Sequence, residues 1–148
     1  MSAEQLRDPV RAALDIFMTI RGELERRAKS EKEKTDFGRD LRARARDAPE
    51  LIEEVGLVPA LSFFYSKSDK IGYELMLKAI LLYLQRIQIV PSNINLDAIL
   101  AGERNTDAMI DLLRDLLKWS TVVVPILRPF LVEFKRLCEA TWSERGSS

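Results

Sequence analysis

The sequence predicts an all-α fold, a compact single-domain bundle of about six to eight helices around a central apolar helix near residues 70–88. Three observations carry this. Apolar residues recur at three- and four-residue spacing along nearly the whole chain. Prolines and glycines fall where those periodic segments start and stop. No strand pattern competes, since Val122-Val123-Val124 is short and no alternating run surrounds it.

Asp8 reads as an N-cap with Pro9 at the first helical position, where its missing N–H costs nothing. From there Val10, Ala13, Leu14, Phe17, Ile20, Leu24 and Ala28 define one buried stripe, with Glu23/Arg27 and Glu25/Lys29 as ion pairs on the outer side. Residues 30–35 hold no apolar side chain and read as a solvated helix end or a connector. A second helix is expected from about Asp36, with Phe37, Leu41, Ala45 and Ala48 facing inward. Two short helices follow. The first opens at Pro49 and stops at Gly56, which can adopt the left-handed cap; the second opens at Pro59 and carries an apolar, aromatic surface to Phe64.

Ser68 or Asp69 is placed to cap the central helix. Ile71, Leu75, Met76, Ala79, Ile80, Tyr83, Leu84 and Ile87 make it apolar nearly all round, so it needs neighbours on several sides. Glu74, Lys78, Gln85 and Arg86 interrupt it, which argues for a buried helix and against a membrane span. Pro91 is expected to end it, Asn95 to cap a short helix closed by Gly102, and Thr106 to cap the next. Pro125 and Pro129 are expected to kink or split the last long segment near Val124. Phe130, Leu131, Phe134, Leu137 and Cys138 form the final stripe. One helical domain over 1–142 and a disordered tail over 143–148 are expected.

Composition narrows function mostly by exclusion. Lys+Arg and Asp+Glu number 23 each, so no global positive field drives nucleic-acid binding and any contact must come from a local patch. The chain has no histidine, which removes the commonest general base and metal ligand. Cys138 is the only cysteine and lies on an apolar stripe, as core filler rather than nucleophile; it fits a reducing cytosol. The glycines are scattered singly, so no phosphate-binding loop is present. Glu53-Glu54 and Asp111/Asp115 are carboxylate pairs; the first points to different helix sides and the second reads as a solvated face. Neither a catalytic centre nor a cofactor nor a small-molecule substrate is implied. The first residues lack a signal-peptide pattern, and a cytoplasmic protein with no membrane role is expected.

One cationic feature stands out. Arg39, Arg42 and Arg46 share a helix face opposite Phe37, Leu41 and Ala45, and Arg44 extends the patch around one side. Lys67 and Lys70 flank the turn after the aromatic helix. These six residues are the candidate nucleic-acid contacts. A guanidinium fork matches phosphate oxygens without reading a base, and a solvated face kept soluble by charge explains the same pattern. Toward the C-terminus, Asp97, Glu103, Asp107, Asp111 and Asp115 outnumber Arg104 and Arg114. Acidic and basic sides suit head-to-tail stacking of copies and suit ordinary solubility equally.

The block Pro49, Leu51-Ile52, Gly56-Leu57, Leu61-Ser62-Phe63 and Lys67 resembles the small all-helical subunit, the fifth protein, of the type III-B CRISPR effector (the Cmr complex). That family carries a proline, an aliphatic helix, a Gly-Leu pair and a Leu/Ala-x-Phe run closing on a lysine. The likeness is clearest over residues 41–84. It implies a non-catalytic subunit that packs beside copies of itself and beside the other subunits, the RAMP backbone and the large subunit, and helps line the path of target RNA. The competing reading is a helical protein–protein interaction adaptor with no nucleic-acid role.

Overall fold

The computed structural model describes residues 2–100 and 105–144. The helices are α1 (Ala3–Arg7), α2 (Pro9–Arg27), α3 (Glu31–Val55), α4 (Leu57–Ser66), α5 (Ile71–Arg86), α6 (Leu96–Leu100), α7 (Thr106–Leu116) and α8 (Ser120–Thr141), with a single 3-10 turn at Leu117–Trp119; no strand occurs among the described residues. The expected all-α bundle around a central helix is what forms. Helix α5 lies at its centre, with α2, α3 and α4 packed around it, and α8 closes the bundle against α2 and α3. Leu75, Met76, Leu77, Ala79, Ile80, Leu81 and Leu84 are fully buried. Arg27 meets Glu74 and Asp15 meets Arg86, so α2 runs antiparallel to α5. Arg42 with Glu139 and Glu53 with Arg128 set α3 antiparallel to α8 in the same way.

Local signals fixed several ends. The Asp8 carboxylate accepts the Val10 and Arg11 amides ahead of Pro9, and Asn95 accepts from the Ala98 amide. Gly56 separates α3 from α4 at φ 90°, ψ 167°, an extended positive-φ conformation that essentially only glycine adopts. Cys138 is buried among apolar side chains, and that burial pushes its thiol pKa well up. Tyr83 stacks flat on Phe130, with ring centroids 4.4 Å apart, and Phe130, Phe134, Phe17 and Trp142 continue the aromatic seam between α2 and α8.

Other expectations give way to tertiary packing. Pro49 does not open a helix: it lies inside α3, which runs unbroken from Glu31. An interior proline costs about 3 kcal/mol, but Leu41, Ala45, Ala48 and Ile52 form one continuous buried stripe through it, and their burial outweighs the lost hydrogen bond. Pro125 and Pro129 likewise do not split α8; both sit on its exposed side while Val123, Leu127, Phe130 and Leu131 keep the inner stripe continuous. Ser30, not a residue near Asp36, caps α3 by accepting the Glu33 amide. Helix α4 starts at Leu57 rather than Pro59. Lys70 stands at the cap of α5, while the Ser68 hydroxyl donates back to the Tyr65 carbonyl. Helix α5 ends at Arg86, before Pro91, where Gln88 turns through φ 68° and the Ile89 and Val90 amides return to the Leu84 carbonyl. Asn105 rather than Thr106 caps α7.

The α2 stripe is rotated from its expected position. Ala12, Ala13, Ile16, Phe17, Ile20 and Leu24 are buried, whereas Val10, Leu14 and Met18 are exposed. Both rows repeat at helical spacing, and the buried one faces α5 and α8, against which α2 packs. The expected cap Gly102 lies outside the described residues, and the expected tail over 143–148 lies largely outside them.

Candidate nucleic-acid interface

The candidate cations fall on two flanks of one element and on the turn beside it. Leu41, Ala45 and Ala48 hold α3 against its neighbours, so residues a quarter-turn away on either side sit at helix–helix seams rather than in open solvent. Arg42 is on the α8 flank. It donates to the Trp142 carbonyl at 3.0 Å and lies 4.0 Å from Glu139. Arg46, more open, reaches Asp47 at 3.2 Å and Glu144 at 3.5 Å. Arg39 is 3.9 Å from Asp36 and only about a quarter exposed, at 26%. Arg44 is on the α5 flank: its guanidinium carbon lies 4.4 Å from the Tyr73 ring centroid, and it donates to the Tyr73 hydroxyl.

The expected single strip is therefore divided. Arg39, Arg42 and Arg46 do share a side of α3, but Arg42 and Arg46 also fasten the end of α8, and Arg44 belongs to another surface. Lys67 and Lys70 differ from all four in pairing: both are exposed, as Arg46 is, but neither takes an ion pair among the described residues. Of the six candidates they are the most available to a ligand. An open groove of about 550 Å³ beside Lys70 is lined by Lys29, Asp36, Asp40 and Asp69 as well, so it carries both signs and selects no anion. Asp40 already serves the start of α5, accepting the Gly72 amide at 2.7 Å.

A buried charge cluster was not anticipated. Glu23 and Arg27, expected on the outer side of α2, turn inward to Glu74 and Lys78 of α5. Arg27 grips Glu74 with two hydrogen bonds of 2.8 and 3.1 Å, and Lys78 donates to both Glu23 and Asp97. Burial alone would push the Lys78 ammonium down; the hydrogen bonds and charges of Asp97 and Glu23 outweigh it, leaving its pKa above the ordinary lysine value. The Glu74 hydrogen bond raises Arg27 in turn. Charges placed in an otherwise apolar helix were the available signal: Glu74 and Lys78 are one helical turn apart and need partners wherever the helix is buried. The cluster ties α2, α5 and α6 together and is fully occupied with itself.

On the acidic side, Asp107, Asp111 and Asp115 are exposed, Asp111 lies 3.5 Å from Arg114, and Asp97 is held by Lys78. Glu103 and Arg104 lie outside the described residues. Among the described residues no three His, Cys, Asp or Glu side chains converge as a metal site would require, and no helix is long and apolar enough to cross a membrane.

The family model described as CRISPR-associated protein (Cas_Cmr5) matches residues 23–120. This span contains α3, α4 and α5 whole, and with them every candidate cation. No curated protein and no solved structure matches the chain.

Proposed function

The chain belongs to the Cas_Cmr5 family, the small subunit of the type III-B CRISPR Cmr complex, and from that premise we propose that it is a non-catalytic scaffold contacting target-RNA backbone in antiviral defence. The family match over 23–120 carries this reading. Lys67 and Lys70 supply unpaired charge for phosphate, and Arg39, Arg42, Arg44 and Arg46 supply forks at its margins. Zero net charge fits a subunit that binds RNA weakly alone, at low salt, and strongly only within an assembly, where partner subunits position the RNA. The exposed row Val10, Leu14 and Met18 supports contact with neighbouring subunits, whether the RAMP backbone, the large subunit or copies of itself. Its place is the cytoplasm.

Reconstitution with and without this chain tests the proposal. Partner subunits should co-purify with it, and omitting it should weaken target-RNA binding by the remaining complex. Normal co-purification with unchanged RNA affinity on omission would leave the adaptor reading in its place.

A further inference from the structure

Among the described residues Phe63 is the one exposed aromatic side chain. Phe17, Phe64, Phe130, Phe134, Tyr83 and Trp142 are buried, Phe37, Tyr65, Tyr73 and Trp119 are half-buried, and Phe63 is 42% exposed. Helix α4 produces this by burying Leu57, Ala60, Leu61 and Phe64, which leaves Phe63 at the edge of the inner face. Its ring is nonetheless held in place. Tyr73 meets it in a T-shaped contact at 5.9 Å, and Phe64 tilts against it at 6.1 Å. Tyr73 in turn carries the Arg44 guanidinium, so Arg44, Tyr73 and Phe63 form one unbroken path across α3, α5 and α4.

Beyond Pro59, exposed one turn before Phe63, the rim of this platform is polar and positive. Ser62, Ser66 and Lys67 around Phe63 are exposed, Lys67 lies one turn beyond it, and Lys70 follows at the start of α5; Asp69 is the turn's one carboxylate. A protein-binding anchor would sit among apolar neighbours. A lone held ring beside unpaired ammonium groups is the layout that stacks a base while binding its backbone, because every base has a π-face and every linkage a phosphate. We propose that Phe63 is a stacking platform for an unpaired RNA base, with Lys67 and Lys70 on the adjoining phosphates. This deepens the RNA reading above and rests on it.

The test uses the isolated full chain at low salt, with labelled single-stranded oligoadenylate and an abasic RNA oligomer of equal length, read by fluorescence anisotropy. The wild-type chain should bind the base-bearing oligomer about five- to tenfold more tightly, the low end of what one stacked base supplies. Phe63→Leu keeps apolar bulk against Tyr73 and should bring that ratio to about one, while Phe63→Trp should retain it. Lys67→Glu with Lys70→Glu should weaken both oligomers and leave the ratio intact. A wild-type ratio near one, or an unchanged ratio in Phe63→Leu, overturns the stacking proposal alone. Failure of the lysine pair to weaken either oligomer overturns the RNA reading beneath it. Loss of co-purification with partner subunits in Phe63→Leu, with the ratio unmoved, would reassign the ring to a protein contact.

Discussion

The same substitution at two glycines should have opposite signs, and the difference follows from how closely helices approach. A Cβ at Gly72 would lie 2.4 Å from Cγ and 2.7 Å from the backbone carbonyl carbon of Asp40. The carboxylate cannot swing aside without releasing the Gly72 amide it accepts at 2.7 Å, and the α3 backbone cannot yield without opening the seam with α5. Overpacking costs about 1–3 kcal/mol, loss of a hydrogen bond to a charged group about 1.5–3, and alanine returns about 1 through helix propensity. Gly72→Ala should therefore destabilise by about 1.5–5 kcal/mol. A Cβ at Gly22 meets only the tip of Arg26, at 3.3 Å, which is free to move. Gly22→Ala should stabilise by about 0.5–1 kcal/mol through backbone entropy. Urea unfolding at equilibrium measures both, provided the m-value stays constant. Equal stabilities for the two variants would mean that α3 and α5 do not touch at Gly72.

Three further outcomes are expected. Gly56→Ala should cost about 1 kcal/mol or more in the same assay, since φ 90° opposes any side chain; a neutral result would remove the cap between α3 and α4. Ile80→Ala, at a site with no exposure, should cost about 2–5 kcal/mol, and a loss near zero would make α5 peripheral. Lys78→Met should cost about 2 kcal/mol at neutral pH, below the usual range for a broken buried pair because Asp97 can rehydrate and Glu23 keeps Arg27. The folded Lys78 pKa is raised, so its contribution is complete below about pH 10.5 and fades as pH rises through the folded value. The gap between wild type and variant should thus be flat from neutral pH to that point and narrow above it; a gap that closes below pH 9 would contradict the pairing.

How much was legible follows from which interactions decided each feature. Asp8 with Pro9, the Gly56 cap and the all-round apolar α5 could be read because a few adjacent residues settle them. The proline positions could not: Pro49, Pro125 and Pro129 are breakers by local rule, and only the buried stripes at Ala45–Ala48–Ile52 and Leu127–Phe130–Leu131 show why their helices continue. Helix α2 offered two apolar rows, and its seat on α8 chose between them. The cations of the candidate interface were all identifiable, but not their state. Nothing local to Arg42 or Arg44 announces Trp142 or Tyr73, which lie 100 and 29 residues away. Phe63 is legible as part of the Leu61-Ser62-Phe63 run, but its exposure is not, because exposure is set by what α4 packs against.

The most direct measurement is target-RNA affinity of the assembled complex as a function of salt, comparing the wild-type subunit with Lys67→Glu/Lys70→Glu. Assembly is checked by co-purification and fold by circular dichroism. These two side chains hold nothing else in the described structure, so the variant should fold and assemble normally. A second variant, Arg39→Gln/Arg42→Gln/Arg46→Gln, extends the comparison to the forks, with stability followed because Arg42 also holds the Trp142 carbonyl. Each phosphate contact to a single strand contributes a slope of about 0.7 in log affinity against log salt. The account predicts weaker binding at physiological salt and a slope shallower by about 1.4 for the lysine pair. Unchanged affinity and slope in a normally assembled complex would contradict it and leave this subunit a protein scaffold without an RNA surface.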